Sequence, residues 1–258
     1  MDAANPNSPD DTDRQFMRPD RDLVDDLETR VRLIIEKAQT DLDTFTENDK
    51  SFRRKATVDV VKRIMETVKQ AIEEVNQQPE AVREKLYYLI YNATIFNFQC
   101  CTTLRAANFS REATKFLAFN VLCLDNNLIL TTTKYLDWRI TNYVELARSY
   151  SDYGALKAST KVITYAIGKV LYNKEVEEQD PPVPDGTKDT LIDALRVLRT
   201  QELKYELQSG AIGPEAWKKK LEETFASSKY HRSLAIVECL RTNEPFQTSL
   251  ADRTSKIA

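Results

Sequence analysis

Glycine and histidine are the residues that this sequence has least of. Only 5 of its 258 residues are glycine and only 1 is histidine, and there are 4 cysteines. Scarce glycine argues against glycine-rich phosphate-binding loops and against turn-rich β folds. A single histidine leaves little for histidine-based catalysis or for histidine metal sites. We therefore predict a protein with no catalytic residues, no bound cofactor and no metal site.

Long apolar runs and an excess of charge of either sign are also missing. No stretch approaches the roughly 18–20 apolar residues that a membrane-spanning helix needs. There are 37 lysine and arginine residues against 40 aspartate and glutamate residues, which gives a formal net charge of −3. Such a balance argues against a broad nucleic-acid surface and against a polybasic membrane anchor. We predict a cytoplasmic protein that binds neither nucleic acid nor membrane, with its cysteines reduced and buried.

Apolar residues recur at three- and four-residue spacing along most of the chain, which indicates amphipathic α-helices. In the first of them the apolar stripe is formed by Leu23, Leu27, Val31, Ile34 and Ala38. Proline, asparagine and glycine mark the breaks between successive helices. The predicted helices cover residues 21–45, 51–76, 80–106, 110–124, 133–152, 154–173, 187–209, 214–225 and 229–241.

Composition divides the chain into five parts. The first residues are polar and rich in aspartate, and a run of acidic residues with three prolines interrupts the helices after residue 174. Segments of this kind cannot bury enough apolar surface to fold alone. The predicted parts are a disordered leader at 1–19, a helical-repeat domain at 20–174, an acidic proline-rich linker at 175–186, a small helical extension at 187–242 and a disordered tail at 243–258.

Short connections between successive helices favour stacked antiparallel helix hairpins. Small residues are expected where two helices of such a hairpin approach closely. Two pairs of small residues occur 46 residues apart, Cys101 with Ala113 and Ala147 with Ser159. We predict an all-α fold, either a tetratricopeptide-like α-solenoid or a closed helical bundle. Five residues are expected in its core: Tyr88, Ile95, Leu117, Leu146 and Ile163.

The two tryptophans are candidates for contact with another protein. The helix face around Trp138 is of mixed polarity, and we expect Trp138 to pack on its own fold while Arg139 points elsewhere. Trp217 precedes three lysines that could meet an acidic surface such as tubulin or calmodulin. The alternatives are core packing for the tryptophans and a solvated face for the lysines. The candidate partner-binding residues are therefore Trp138, Arg139, Trp217, Lys218, Lys219 and Lys220.

Two unusual aromatic stretches are separated by one predicted helix. They read Lys85-Leu-Tyr-Tyr-Leu-Ile-Tyr-Asn-Ala-Thr-Ile95 and Lys134-Tyr-Leu-Asp-Trp-Arg-Ile-Thr-Asn-Tyr143. In order and spacing they resemble the N-terminal region of the cilia- and flagella-associated protein 54 family, with Ala93 where the family has glycine. The resemblance implies a structural protein of a projection on the central apparatus of the ciliary axoneme. It implies other proteins of that projection, with calmodulin, as partners, and it supplies no functional site residue.

Two functions are therefore predicted for this chain. The first is a non-enzymatic scaffold of the ciliary or flagellar axoneme, needed for assembly of a central-pair projection and for movement of the cilium. The second is a cytosolic helical adaptor that binds peptide segments of partner proteins. The two differ in where the protein is located, because only the first requires attachment to the cytoskeleton of the cilium.

Overall fold

The computed structural model describes residues 21–47, 49–179 and 186–241. Helices make up 86% of these residues, and no strand occurs among them. The predicted all-α class is confirmed. The leader at 1–19, the tail at 243–258 and the proline-containing part of the linker lie outside the described residues.

Eleven α-helices occur in the described ranges, and their bounds follow the predicted ones closely. They are α1 Arg21–Thr46, α2 Lys55–Asn76, α3 Glu80–Lys85, α4 Tyr87–Ala106, α5 Ser110–Asp125, α6 Leu128–Thr131, α7 Leu136–Asp152, α8 Leu156–Gln179, α9 Thr187–Gln208, α10 Pro214–Thr224 and α11 Lys229–Arg241. A single 3₁₀ turn, Thr133–Tyr135, precedes α7.

Several helix boundaries differ from the predicted ones: α2 begins at Lys55 where residue 51 was predicted, and the short α6 was not predicted. Leu86 leaves the helical conformation (φ −97°, ψ 13°), so the predicted helix 80–106 is divided into α3 and α4. The predicted helix 133–152 becomes α7 with the 3₁₀ turn before it. Residues 175–179 continue α8, although the sequence placed them in the linker. Glutamate is a good helix former, so an acidic run alone does not end a helix.

The helices pack as hairpins in the order of the chain. α1 packs on α2, α4 on α5 and α7 on α8, and each hairpin then contacts the next through α2 with α4, α5 with α7, and α8 with α9. An ion pair of 2.8 Å joins Arg30 near the start of α1 to Glu74 near the end of α2, as an antiparallel pair requires. We refer to α1–α2, α4–α5 and α7–α8 as the first, second and third hairpins.

The predicted close approaches within two hairpins are confirmed. The Ser159 hydroxyl donates a hydrogen bond of 2.8 Å to the backbone oxygen of Ala147, between α8 and α7. The Cys101 thiol lies 3.5 Å from the backbone oxygen of Ala113, between α4 and α5. All four residues are buried, so a larger side chain at any of them would push the two helices apart. The second and third hairpins are thus built alike, 46 residues apart.

The apolar core runs through the stack in three connected regions. The largest region is shared by the first two hairpins, and the second joins α7, α8 and α9. The third region lies between α9, α10 and α11 around Leu203, Trp217 and Phe225. Because α9 belongs to both the second and the third region, it connects the third hairpin to the last two helices. The division of the chain into separate domains stays a prediction.

Most of the expected core residues are buried. Leu117, Leu146 and Ile163 are at most 5% exposed, whereas Tyr88 and Ile95 are only half-buried. All four cysteines are buried thiols, as expected. Burial raises the pKa of the Cys100 and Cys123 thiols to about 12, so both stay protonated and unreactive at neutral pH. None of the helices within the described ranges is long and apolar enough to cross a bilayer.

Replacing Leu146 by alanine tests the packing of α7. The side chain is 5% exposed, so Leu146→Ala should lower the free energy of unfolding by about 2–5 kcal/mol, measured by urea denaturation. Leu122→Ala on α5 is the matched control, because that leucine is 58% exposed and should cost only about 0.5 kcal/mol. Equal losses in the two variants would show that α7 does not pack as described.

Candidate protein-binding surface

Trp138 is tied to α4 by both its ring and its indole N–H. The indole nitrogen donates a hydrogen bond of 2.9 Å to the Thr94 hydroxyl. The ring lies 5.0 Å from the ring of Phe98 and 6.2 Å from that of Tyr91, centroid to centroid. The expectation that Trp138 packs on its own fold is confirmed. The side chain is half-buried, so one edge of the ring still reaches the surface.

Arg139 points away from Trp138 and into the protein. It is 2% exposed, and its guanidinium donates to Asp125 Oδ1 at 3.0 Å and to the backbone oxygen of Thr131 at 2.9 Å. The Tyr143 hydroxyl donates to the other oxygen of Asp125. Burial, and then the charge of Asp125, raise the pKa of Tyr143. Arg139 therefore stabilises the junction of α5, α6 and α7, and its guanidinium is not presented to a partner.

The second candidate group, Trp217 with the three lysines that follow it, is divided between the core and the surface. Trp217 is 2% exposed, and its indole N–H donates a hydrogen bond of 3.1 Å to the backbone oxygen of Leu203. Lys220 contacts both carboxylate oxygens of Glu206, at 2.6 and 2.7 Å. Lys218 and Lys219 are exposed. The two lysines are therefore the part of this group that a partner can reach, and Trp138 and Trp217 belong to different regions of the core.

Three buried asparagines join the second hairpin to the third. Asn97 of α4 donates to the side-chain oxygen of Asn120 of α5 at 3.1 Å. Asn120 in turn donates to the backbone oxygen of Thr94 at 3.0 Å and to the side-chain oxygen of Asn142 of α7 at 3.1 Å. Asn142 donates to the backbone oxygen of Trp138 at 2.9 Å. All three are 0% exposed. The sequence signal that could have revealed them is an asparagine on an otherwise apolar helix face, because a buried amide needs hydrogen-bond partners.

A second polar cluster joins the same helices at their other end. Arg105 of α4 donates to Asp152 of α7 at 2.7 Å and also to Glu145. The Ser110 hydroxyl at the start of α5 donates to the same Asp152 oxygen at 2.7 Å. Both partners of Arg105 lie more than 35 residues away in sequence, so no local pattern could have indicated this cluster.

α4, α7 and α9 lie side by side and form a groove with two adjoining parts. The first part is a mainly apolar cavity of about 340 Å³. Its apolar lining residues are Phe98, Ile140, Val144, Ala194 and Val197, and its polar lining residues are Asp137, Thr141, Glu145, Arg148 and Asp193. The second is a polar cavity of about 360 Å³. Its lining residues are Arg105, Arg148, Ser151, Asp152, Lys204, Tyr205 and Gln208. Arg148 lines both cavities, so they adjoin at this residue.

Within the described ranges, no group of three or more histidine, cysteine, aspartate or glutamate side chains could hold a metal ion. His231, the one histidine of the sequence, lies near the start of α11 with its ring 5.7 Å from that of Tyr230.

Comparison with known proteins gives a family match over most of the helical stack. The family model described as cilia- and flagella-associated protein 54 matches residues 24–188. The protein of that name from Chlamydomonas reinhardtii is 23% identical over 129 residues, which cover 50% of this chain and 4% of the relative. Those from Mus musculus and Homo sapiens are each 29% identical over 70 residues, which cover 27% of this chain and 2% of each relative. The chain thus aligns with a small fraction of each relative's length.

Removing Arg139 tests whether its role is structural. Arg139→Met leaves the Asp125 carboxylate buried without its cation, and the free energy of unfolding should fall by about 3–5 kcal/mol in chemical denaturation at neutral pH. The matched control is Arg30→Met, which breaks the ion pair with Glu74 on the surface, where the two side chains are 56% and 52% exposed. That variant should lose about 1 kcal/mol or less. A loss as small in Arg139→Met would contradict the structural role.

Proposed function

The chain belongs to the cilia- and flagella-associated protein 54 family, and we propose on this basis that it is a non-enzymatic scaffold of the axonemal central apparatus. There it contributes to assembly of a central-pair projection and to movement of the cilium. The observation that carries the proposal is the family match over residues 24–188, which spans the three hairpins of the stack. The name of the relatives supports an association with cilia and flagella.

The architecture supports a scaffold role. Each hairpin packs on its neighbours in chain order, so the stack presents long helix faces to other proteins. One such face is on α8, where Tyr165, Tyr172 and Val176 are each more than 45% exposed at seven- and four-residue spacing. Proteins that assemble into a larger structure need exposed apolar surface of this kind. The proposed partners are other proteins of the central apparatus, and the proposed location is the axoneme within the ciliary cytoskeleton.

The exposed lysines of α10 support a second type of contact. Lys218 and Lys219 project from a helix whose tryptophan is anchored in the core, so they are held on a fixed surface. Tubulin and calmodulin are the proposed acidic partners for this surface. An exposed charge pair contributes modestly to affinity, so such a contact would add to a larger interface rather than form one alone.

A cytosolic peptide-binding adaptor is the second candidate function. The observation that favours it is the groove along α4, α7 and α9, whose apolar cavity of about 340 Å³ is large enough for one or two side chains of a bound segment. This candidate requires no attachment to the axoneme. The cellular location of the protein therefore separates the two functions.

A ciliated cell that carries a tag on the endogenous protein provides the test. We expect signal along the axoneme that survives detergent extraction, because a scaffold is bound to the cytoskeleton. Axonemes from cells that lack the central pair should have lost the signal, and the tag expressed alone serves as the control. Diffuse signal that detergent removes would overturn the scaffold and favour the adaptor. Signal retained on axonemes without a central pair would overturn the central-apparatus assignment.

A further inference from the structure

We propose that the polar cavity between α4, α7 and α9 binds the C-terminal carboxylate of a partner peptide whose apolar residues lie in the adjoining, mainly apolar cavity. The proposal goes beyond a role in the axoneme and rests on the groove that favours the peptide-binding candidate. It is independent of where in the cell the protein is located. The donors would be Arg148, Lys204 and the hydroxyl of Tyr205.

The two cations have weak partners in the structure. Arg148 makes one ion pair, with Glu145 at 3.8 Å, and its side chain is 38% exposed. Lys204 is 6% exposed, and its ammonium lies 3.5 Å from Glu238. These distances are long for charge-assisted hydrogen bonds, which are usually about 2.7–2.9 Å. Both side chains therefore retain donors that an incoming anion can use.

Arg105 is the third cation of the cavity, and unlike Arg148 and Lys204 it forms short ion pairs. It donates to Asp152 at 2.7 Å and to Glu145. Asp152, the only acidic residue that lines this cavity, also accepts from the Ser110 hydroxyl at 2.7 Å. The negative charge of Asp152 is thus neutralised by Arg105. Among the residues that line the cavity, three cations therefore face one carboxylate, and the acidic partners of Arg148 and Lys204, Glu145 and Glu238, lie outside this lining.

The hydroxyl of Tyr205 lacks a partner in this cavity. Tyr205 is 0% exposed, and its hydroxyl makes no hydrogen bond. A buried hydroxyl without a partner is uncommon, because its hydrogen bonds to water have been lost on folding. Burial raises the pKa of Tyr205, so the group stays protonated and can donate. Burial lowers the pKa of Lys204, and a bound carboxylate would oppose that effect by stabilising the ammonium.

The adjoining cavity favours a peptide over a small inorganic anion. Arg148 lines both cavities, so a carboxylate held by Arg148 would lie next to the apolar surface formed by Ile140, Val144 and Val197. A phosphate ion would occupy part of the polar cavity alone and leave that surface uncovered. A peptide with an apolar residue beside a carboxylate would cover both parts at once.

The test uses the purified 258-residue chain and two fluorescein-labelled pools of hexapeptides that end in apolar residues. One pool ends in a free carboxylate and the other in an amide. Fluorescence anisotropy should show at least about tenfold tighter binding of the carboxylate pool, as expected for hydrogen bonds to a charged group. In ¹⁵N-labelled protein, the Arg148 side-chain Nε–H signal should shift only with the carboxylate pool.

Tyr205→Phe distinguishes a ligand-binding hydroxyl from a structural one. Because the hydroxyl has no partner in the structure, the melting temperature should be unchanged or higher, while binding of the carboxylate pool should weaken about fivefold or more. Arg148→Gln should weaken binding at least about tenfold. Tyr165→Phe, which alters an exposed tyrosine of α8, is the matched control and should bind as the wild type does.

Three results would overturn the proposal. The first is equal binding of the two pools, and the second is wild-type affinity in Tyr205→Phe. The third is a shift of the Arg148 signal with inorganic phosphate but with neither peptide pool, which would identify a site for small anions instead. Because each measurement is made on purified protein, a failure here is separate from a failure of the axonemal location.

Discussion

The amide of Asn120 is the interaction on which the arrangement of the hairpins most depends. It accepts a hydrogen bond from Asn97 and donates two, to Thr94 and Asn142, so it contacts both neighbouring helices at once. Each bond contributes only about 1 kcal/mol net, but an amide left buried without partners costs about 1–3 kcal/mol. Apolar packing alone would allow α5 to slide along its neighbours. The hydrogen bonds of the Asn120 side-chain amide can all form in only one register of α5 against α4 and α7.

The groove follows from that register. Asn142 and Trp138 are both on α7, and both are connected to Thr94 of α4, directly or through Asn120. α7 also carries Ile140 and Val144, which line the apolar part of the groove. At the other end of α7, Arg105 of α4 contacts Glu145 and Asp152. Two polar clusters therefore fix α7 against α4, and these two helices form two of the three walls of the groove.

Local sequence patterns predicted much of the fold. Pro79, Asn126 and Pro214 lie within a residue or two of observed helix boundaries, and the small residues Ala147 and Ser159 do mark a close approach. The break at Leu86 was missed, because leucine is a good helix former and carries no stop signal. The end of α8 was placed six residues early, since its acidic residues resemble a linker.

The candidate site was predicted less well, because its contacts are distant in sequence. The mixed polarity around Trp138 suggested a partner, whereas Asn142 on that face is buried and accepts a hydrogen bond from Asn120, 22 residues away. Arg139 was expected to point elsewhere than Trp138 and does, but its buried partner Asp125 could not be inferred from spacing. The groove combines residues from α4, α7 and α9, so it exists only once the hairpins are stacked.

A double-mutant cycle between Asn120 and Asn142 tests most directly whether buried amides join the hairpins, with unfolding free energies measured for Asn120→Ala, Asn142→Ala and the double variant. If the asparagines join the hairpins, the double variant should lose less stability than the sum of the single variants, by about 0.5–3 kcal/mol. Losses that add to within about 0.3 kcal/mol would show that the two amides act independently and would contradict the account.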